Sequence, residues 1–105
     1  MPEPAHLEVW WAELPERTPR PYLVLTRDQA IPVLRRIVAA PVTRRVRGIP
    51  TEVPLGPDEG LAAESIASLD NVETVPKSAF TRRLGALAPA RRHELCEALR
   101  AAVDC

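Results

Sequence analysis

The stretch LEVWWAEL, residues 7–14, decides the class of fold. It sets Leu7, Val9 and Trp11 on one face and Glu8, Trp10 and Ala12 on the other, the two-residue period of a β-strand. Pro15 and Pro19 then break the chain into a loop. PYLVLT (21–26) and RIVAAPV (36–42) are continuous apolar runs that suit buried strands, and Pro41 implies an edge or a bulge near the end of the second. Between them, residues 28–34 form a connector interrupted by Pro32. Further short strands are predicted over 51–55, 65–69 and 73–75, separated by the turn signals GPDEG (56–60) and Asp70-Asn71. Many short strands at this spacing predict a barrel or a sandwich.

One long helix is predicted, opening at Pro89, which suits the first helical position, and running to Val103. Leu95, Ala98, Leu99, Ala102 and Val103 form its apolar stripe, with Arg91, Arg92, Glu94, Glu97 and Arg100 mostly outside it. Such a helix caps the barrel or packs across a dimer. No repeat, low-complexity tract or long linker interrupts the chain, so its 105 residues are expected to form a single domain, 1–105, of α+β class in which β dominates. Twelve prolines beside 46% apolar residues argue against disorder, a coiled coil or a bundle of long helices. No run approaches the ~18 apolar residues of a bilayer span, and residues 1–8 lack the basic-then-apolar pattern of a signal peptide, so a cytoplasmic protein is expected. Cys96 and Cys105 would close only a small loop and write no disulfide framework.

Fourteen bases balance fourteen acids, but not evenly along the chain. Residues 1–16 carry −4, residues 17–47 carry +7, residues 48–78 carry −5 and residues 79–105 carry +2. Thirteen of the fourteen bases are Arg, the side chain whose flat fork grips phosphate or carboxylate in a bidentate manner. The pattern suits either a solvated basic face or a polyanion partner.

Most catalytic templates find no support. The glycines Gly48, Gly56, Gly60 and Gly85 are isolated, so there is no phosphate-cradling loop. His93 and Cys96 make at most half a metal site, and no second pair completes it; Cys96 is expected buried, His93 solvated and His6 frayed. No metal or cofactor is expected, and neither histidine has a nucleophile beside it in the sequence. RNA offers chemistry without either, because its 2′-hydroxyl attacks the adjacent phosphate once that phosphate is oriented and its developing charge is stabilised. An Arg fork and a hydroxyl donor supply the stabilising part, and residues 17–47 contain both.

Three stretches, in order, carry a family resemblance: EVWWAELP (8–15), RPYLVLTRD (20–28) and IVAAPVTRRVRGIPTEVPL (37–55). Weaker matches follow over 60–80 and 82–103. Together they resemble the MazF/PemK-like toxins, sequence-specific endoribonucleases of bacterial type II toxin–antitoxin pairs. The resemblance implies an SH3-like β-barrel of the CcdB/PemK-like toxin fold with a C-terminal helix. It further implies a homodimer with single-stranded RNA crossing it, a cognate antitoxin as the neutralising partner, and metal-independent cleavage leaving 2′,3′-cyclic phosphate and 5′-hydroxyl ends. By position, Arg20 matches the family's catalytic arginine and Thr43 its catalytic threonine. A guanidinium stays protonated and is a poor base, so Arg20 is read as phosphate clamp and Thr43 as the group that orients the phosphate. Arg17, Arg44, Arg45 and Arg47 are placed along the RNA, with Asn71 at a base-reading position and Asp70 beside it.

The chain departs from the pattern in two places. Where the family often has a longer Gly- and Ser-containing loop with a Glu assigned to catalysis, this chain has PERTPRP (15–21), whose nearest acid, Glu16, is the candidate for that catalytic role. After Asn71 the family frequently has a basic residue, here replaced by Glu73, which changes which bases are read. Two other functions compete. A gyrase poison of the CcdB type acts through an apolar C-terminal end containing Trp, whereas this chain ends in AAVDC and holds both tryptophans in its first strand. A non-catalytic RNA-binding module would want a base-stacking platform, poorly provided by Trp10, Trp11, Tyr22 and Phe80, whose default role is core or dimer packing.

Overall fold

The computed structural model describes residues 3–103, so Cys105 and its spacing from Cys96 lie outside the described residues. Seven strands and one helix follow in chain order: β1 (Glu8–Ala12), β2 (Arg20–Val24), β3 (Arg36–Thr43), β4 (Glu52–Leu55), β5 (Ser65–Ser68), β6 (Glu73–Pro76), β7 (Phe80–Ala86) and α1 (Arg92–Val103). They form one antiparallel sheet in the order β4-β5-β3-β2-β1-β7, with β6 also on β3. The expected barrel thus takes the form of a half-barrel, with β4 and β7 at the two ends of the order and α1 packed against β4 and the turn at Leu69–Asn71.

The two apolar runs are continuous because both faces of their strands are buried, each face in its own core. In β2, Leu23 enters one cluster while Tyr22 and Val24 enter the other; in β3, Ala40 and Val42 divide from Ile37 and Ala39 in the same way. The first cluster includes Val9, Val53 and Leu87 and receives Leu95 and Ala98 from the helix, so α1 caps its own chain's core. The second is built around Trp10, Ile37, Val75 and Phe80.

β3 serves both halves of the sheet. Along one edge its residues 36–39 pair with β6 and then Val42 and Thr43 pair with β5. Of the two expected settings for Pro41, an edge or a bulge, the edge is excluded: it is buried opposite Tyr22 of β2. Its missing N–H is tolerated where the other edge of β3 is changing partners, between Ala39 and Val42.

Three further departures have physical causes. Strand β7 escapes the alternation rule because its register against β1 shifts twice, passing over Leu84 and Thr81, which leaves Thr81, Arg82 and Arg83 exposed in succession. His6 is docked rather than frayed: its N–H donates to Asp28 Oδ1 at 2.8 Å, its Nδ1 lies 3.0 Å from the Leu25 carbonyl, and Arg92 Nε donates to its Nε2 at 3.2 Å. Cys96 is half-buried rather than buried, and Val103, assigned to the apolar stripe, is 51% exposed. The helix itself follows a short 3-10 turn at Pro89–Arg91, and His93 is exposed as expected.

Two glycines bring β7 against the turn before β5. A Cβ on Gly60, whose φ is +88°, would lie 1.9 Å from the Leu84 carbonyl oxygen, and one on Gly85 would lie 2.2 Å from that of Glu59. Only hydrogens fit between these backbones.

Candidate active site

Arg20 opens β2 and Thr43 closes β3. The antiparallel register pairs Tyr22 with Pro41; continued outward by two residues it sets Arg20 opposite Thr43 on one face. Two grooves meet at this pair, because Arg20 and Thr43 line both. Arg20 is exposed and has no ion pair among the described residues, while Thr43 is half-buried. Thr43 Oγ1 accepts the Arg45 N–H at 3.2 Å, a strand-end bond that leaves the hydroxyl hydrogen to donate outward.

The first groove, about 530 Å³, gathers Arg17, Arg45 and Arg47 together with Asp70 and Asn71. Its cations are partly answered from within. Arg17 Nη1 donates to Glu73 Oε1 at 2.6 Å, and Tyr22 Oη donates to Glu73 Oε2 at 3.3 Å. This contact raises the Arg17 guanidinium above its ordinary value; burial and then the nearby Glu73 charge raise the Tyr22 phenol, so it stays neutral. Glu52 accepts the backbone N–H groups of Arg47 and Gly48 at 3.1 and 2.9 Å, fixing the basic loop. Asp70 Oδ2 accepts from Thr51 Oγ1 at 2.6 Å and Asn71 Nδ2 donates to Ser68 Oγ at 2.7 Å, so both stand as a shaped polar wall.

The second groove, about 340 Å³, is built differently. Arg44 and Arg82 join Arg20 there, no acidic residue lines it, and Trp11, Pro21 and Leu61 give it an apolar floor. Its wall is the close approach of Gly60 to Leu84.

Of the residues singled out in the sequence, Arg17, Arg20, Thr43, Arg45, Arg47, Asp70 and Asn71 gather in the first groove, and Arg44 lies in the second. Glu16 lies outside both, in the turn after Pro15, exposed and with φ +61°. Sequence reasoning missed Tyr22, Glu52 and Ser68 of the first groove, and Trp11 and Arg82 of the second. Tyr22 and Trp11 sit in strands where an aromatic ring reads as core, and Arg82 lies within β7, a strand that no alternation announces.

Residues 5–103 match the family model described as PemK-like, MazF-like toxin of type II toxin–antitoxin system. The chain is 47% identical over 103 residues to the probable endoribonuclease MazF5 of Mycobacterium tuberculosis, covering 97% of this chain and 94% of that protein. It is 39% identical over 99 residues to the probable endoribonuclease MazF2 of the same species, covering 93% and 96%. Among solved structures, the Mycobacterium tuberculosis toxin MazF-mt6 superposes with a TM-score of 0.86 at 37% identity, over 92% of this chain and 96% of that one. A mycobacterial endoribonuclease in complex with its cognate antitoxin superposes at 0.83 with 28% identity, over 96% and 95%. The chain belongs to the PemK-like, MazF-like toxins of type II toxin–antitoxin systems, and within that family it is an endoribonuclease.

Proposed function

We propose that this chain, acting as a single domain, cuts single-stranded RNA where its two grooves meet, at the phosphate held by Arg20 and Thr43. The observation that carries the reading is the placement of an unpaired guanidinium opposite a hydroxyl donor, on a face open to both grooves. In the reaction the 2′-oxygen attacks phosphorus, the bond from phosphorus to the 5′-oxygen breaks, the 2′ proton leaves to water and the 5′-oxygen gains a proton. A 2′,3′-cyclic phosphate and a 5′-hydroxyl result. Arg20 stabilises the added negative charge and donates towards the leaving oxygen, and Thr43 donates to a non-bridging oxygen. Neither step needs a metal. Arg44, Arg45 and Arg47 hold flanking phosphates and Asp70 and Asn71 read bases, while Arg17, expected along the RNA, is answered by Glu73 at the groove wall. Glu16 stands outside the groove walls, and the scheme gives it no atom to move.

The same reading makes the protein a cytoplasmic homodimer silenced by a cognate antitoxin. An acidic, apolar antitoxin segment would answer the arginines and the apolar floor that RNA also uses. The test is incubation with a single-stranded RNA pool of broad sequence in EDTA, with the ends of the products identified. Cyclic-phosphate and 5′-hydroxyl ends at a recurring motif are expected; intact RNA, or cutting only with added divalent metal, would sink the reading.

A further inference from the structure

We propose that the second groove is a stacking subsite: Trp11 receives the base of the nucleotide on the far side of the scissile phosphate from the first groove. The inference rests on the cleavage reading above and adds to it a residue and a path. Trp10 is 4% exposed in the second core, whereas Trp11 belongs to neither core cluster and lines the groove with Pro21 on the neighbouring strand. The β1–β2 register places Trp11 directly opposite Pro21, the residue after Arg20, on one side and across from Arg82 of β7 on the other. A large, part-exposed indole left out of the core and flanked by guanidinium groups is a surface for an aromatic base with its phosphates in reach.

Continuity favours RNA over other occupants. A strand whose scissile phosphate sits between Arg20 and Thr43 must leave that point in two directions, and the two grooves lined by this pair supply them. The second groove holds Arg20, Arg44 and Arg82 with no acid and no ion pair on any of them among the described residues. Apart from its three arginines and the hydroxyls of Thr43 and Ser65 its lining is apolar or Gly, with no carboxylate or side-chain amide to discriminate bases. Stacking tolerates any base, so this subsite contributes affinity and positioning while the polar wall of the first groove carries selection.

The experiment uses the full chain with an RNA it cuts and with the same oligonucleotide made non-cleavable by a 2′-deoxy sugar at the attacking position. Trp11→Ala is expected to weaken binding of the non-cleavable oligonucleotide roughly 5- to 100-fold, with Trp11→Phe recovering most of the loss. An abasic nucleotide on one side of the cut site should reproduce the Trp11→Ala loss in the wild type and add nothing to it in the variant. Thermal unfolding of Trp11→Ala checks that the fold is retained, and because the abasic comparison is made in the wild type it reads the subsite even if the variant folds poorly. Wild-type cleavage with no response to either change would overturn the subsite and leave the cleavage reading standing. Loss of dimer by sedimentation, or loss of antitoxin binding with RNA affinity unchanged, would also overturn it and give the groove to a second copy or to the peptide. A wild type that binds RNA but never cuts would instead sink the cleavage reading, and the binding comparison would still decide the subsite.

Discussion

The two grooves share a threshold and differ in almost everything beyond it. The first mixes Arg17, Arg20, Arg45 and Arg47 with Glu52, Asp70 and Glu73, a formal balance of +1, and ties Arg17 to a carboxylate; the second carries Arg20, Arg44 and Arg82 without an acid, a balance of +3. Positive charge is thus strongest where the lining is apolar, and acids collect where hydrogen-bonding groups are dense. A nucleic-acid enzyme gains affinity from unneutralised guanidinium groups and selectivity from donors and acceptors held in fixed directions. Under the proposed cleavage scheme, the contrast assigns affinity to one side of the cut and selection to the other. It also divides the arginines of the +7 segment between two grooves of different lining.

The largest effect is expected at the threshold itself. Arg20→Ala or Thr43→Ala should lower the cleavage rate roughly 10²- to 10³-fold, about 3–4 kcal/mol of transition-state stabilisation. Thermal unfolding should change little, because Arg20 is exposed and unpaired and Thr43 is half-buried. Single-turnover rates on one RNA measure this, and near wild-type rates for both variants would refute the assigned pair. Gly60→Ala comes next and strikes the second groove alone. A Cβ 1.9 Å from the Leu84 carbonyl, added at φ +88°, should cost about 2–3 kcal/mol in denaturant unfolding and spread the wall beside Trp11. Unchanged stability would mean that the turn and β7 separate freely, and the second groove would have no fixed wall.

Much of this fold is legible from alternation, and the reasons for the rest are local. Strands β1 to β6 follow from apolar runs and turn signals because their side chains have only two faces to choose between. The sequence of β7 hides its strand because two register shifts let consecutive Thr and Arg residues share an exposed surface. At the site, Arg20, Thr43 and the basic loop are readable by resemblance, since their chemistry and order are distinctive. Trp11 is not, because one residue of register separates a core tryptophan from a groove tryptophan and the two read alike in WW. Only the pairing of β1 with β2 and β7 decides which faces the opening.

That same strand contains a pH-sensitive clamp. Burial pushes the Glu8 carboxyl up, but hydrogen bonds from Trp10 Nε1 at 3.0 Å, Arg83 Nε at 2.7 Å and the Ala5 N–H at 2.7 Å together hold it below its ordinary value. A depressed carboxyl stabilises the fold in full above the usual carboxylate range, and that contribution is lost as pH falls through the lowered value. Glu8→Gln should therefore destabilise by about 1 kcal/mol near pH 7, and the gap to wild type should narrow once the pH falls beneath the ordinary carboxylate value of about 4. Melting curves for both at the two pH values measure it; a gap independent of pH would mean the clamp works without its charge.

The smallest effect is expected from Glu73→Gln, and it bears most directly on the contrast between the grooves. Glu73 occupies Arg17 at 2.6 Å, but the pair is exposed enough, at 56% and 27% of the two side chains, to contribute little to stability. Removing the charge should leave unfolding unchanged and make Arg17 available to a phosphate, tightening a non-cleavable oligonucleotide only about two- to fourfold. The more decisive reading is the salt dependence, because one added phosphate contact on a single strand steepens the logarithmic slope by about 0.7. Arg17→Ala in the wild type should change affinity less than about twofold, since that guanidinium is already answered; in the Glu73→Gln background it should erase the whole gain. Equal losses from Arg17→Ala in both backgrounds would mean that RNA displaces Glu73 unaided. The first groove would then be as basic in use as the second, and the division of affinity from selection would fail.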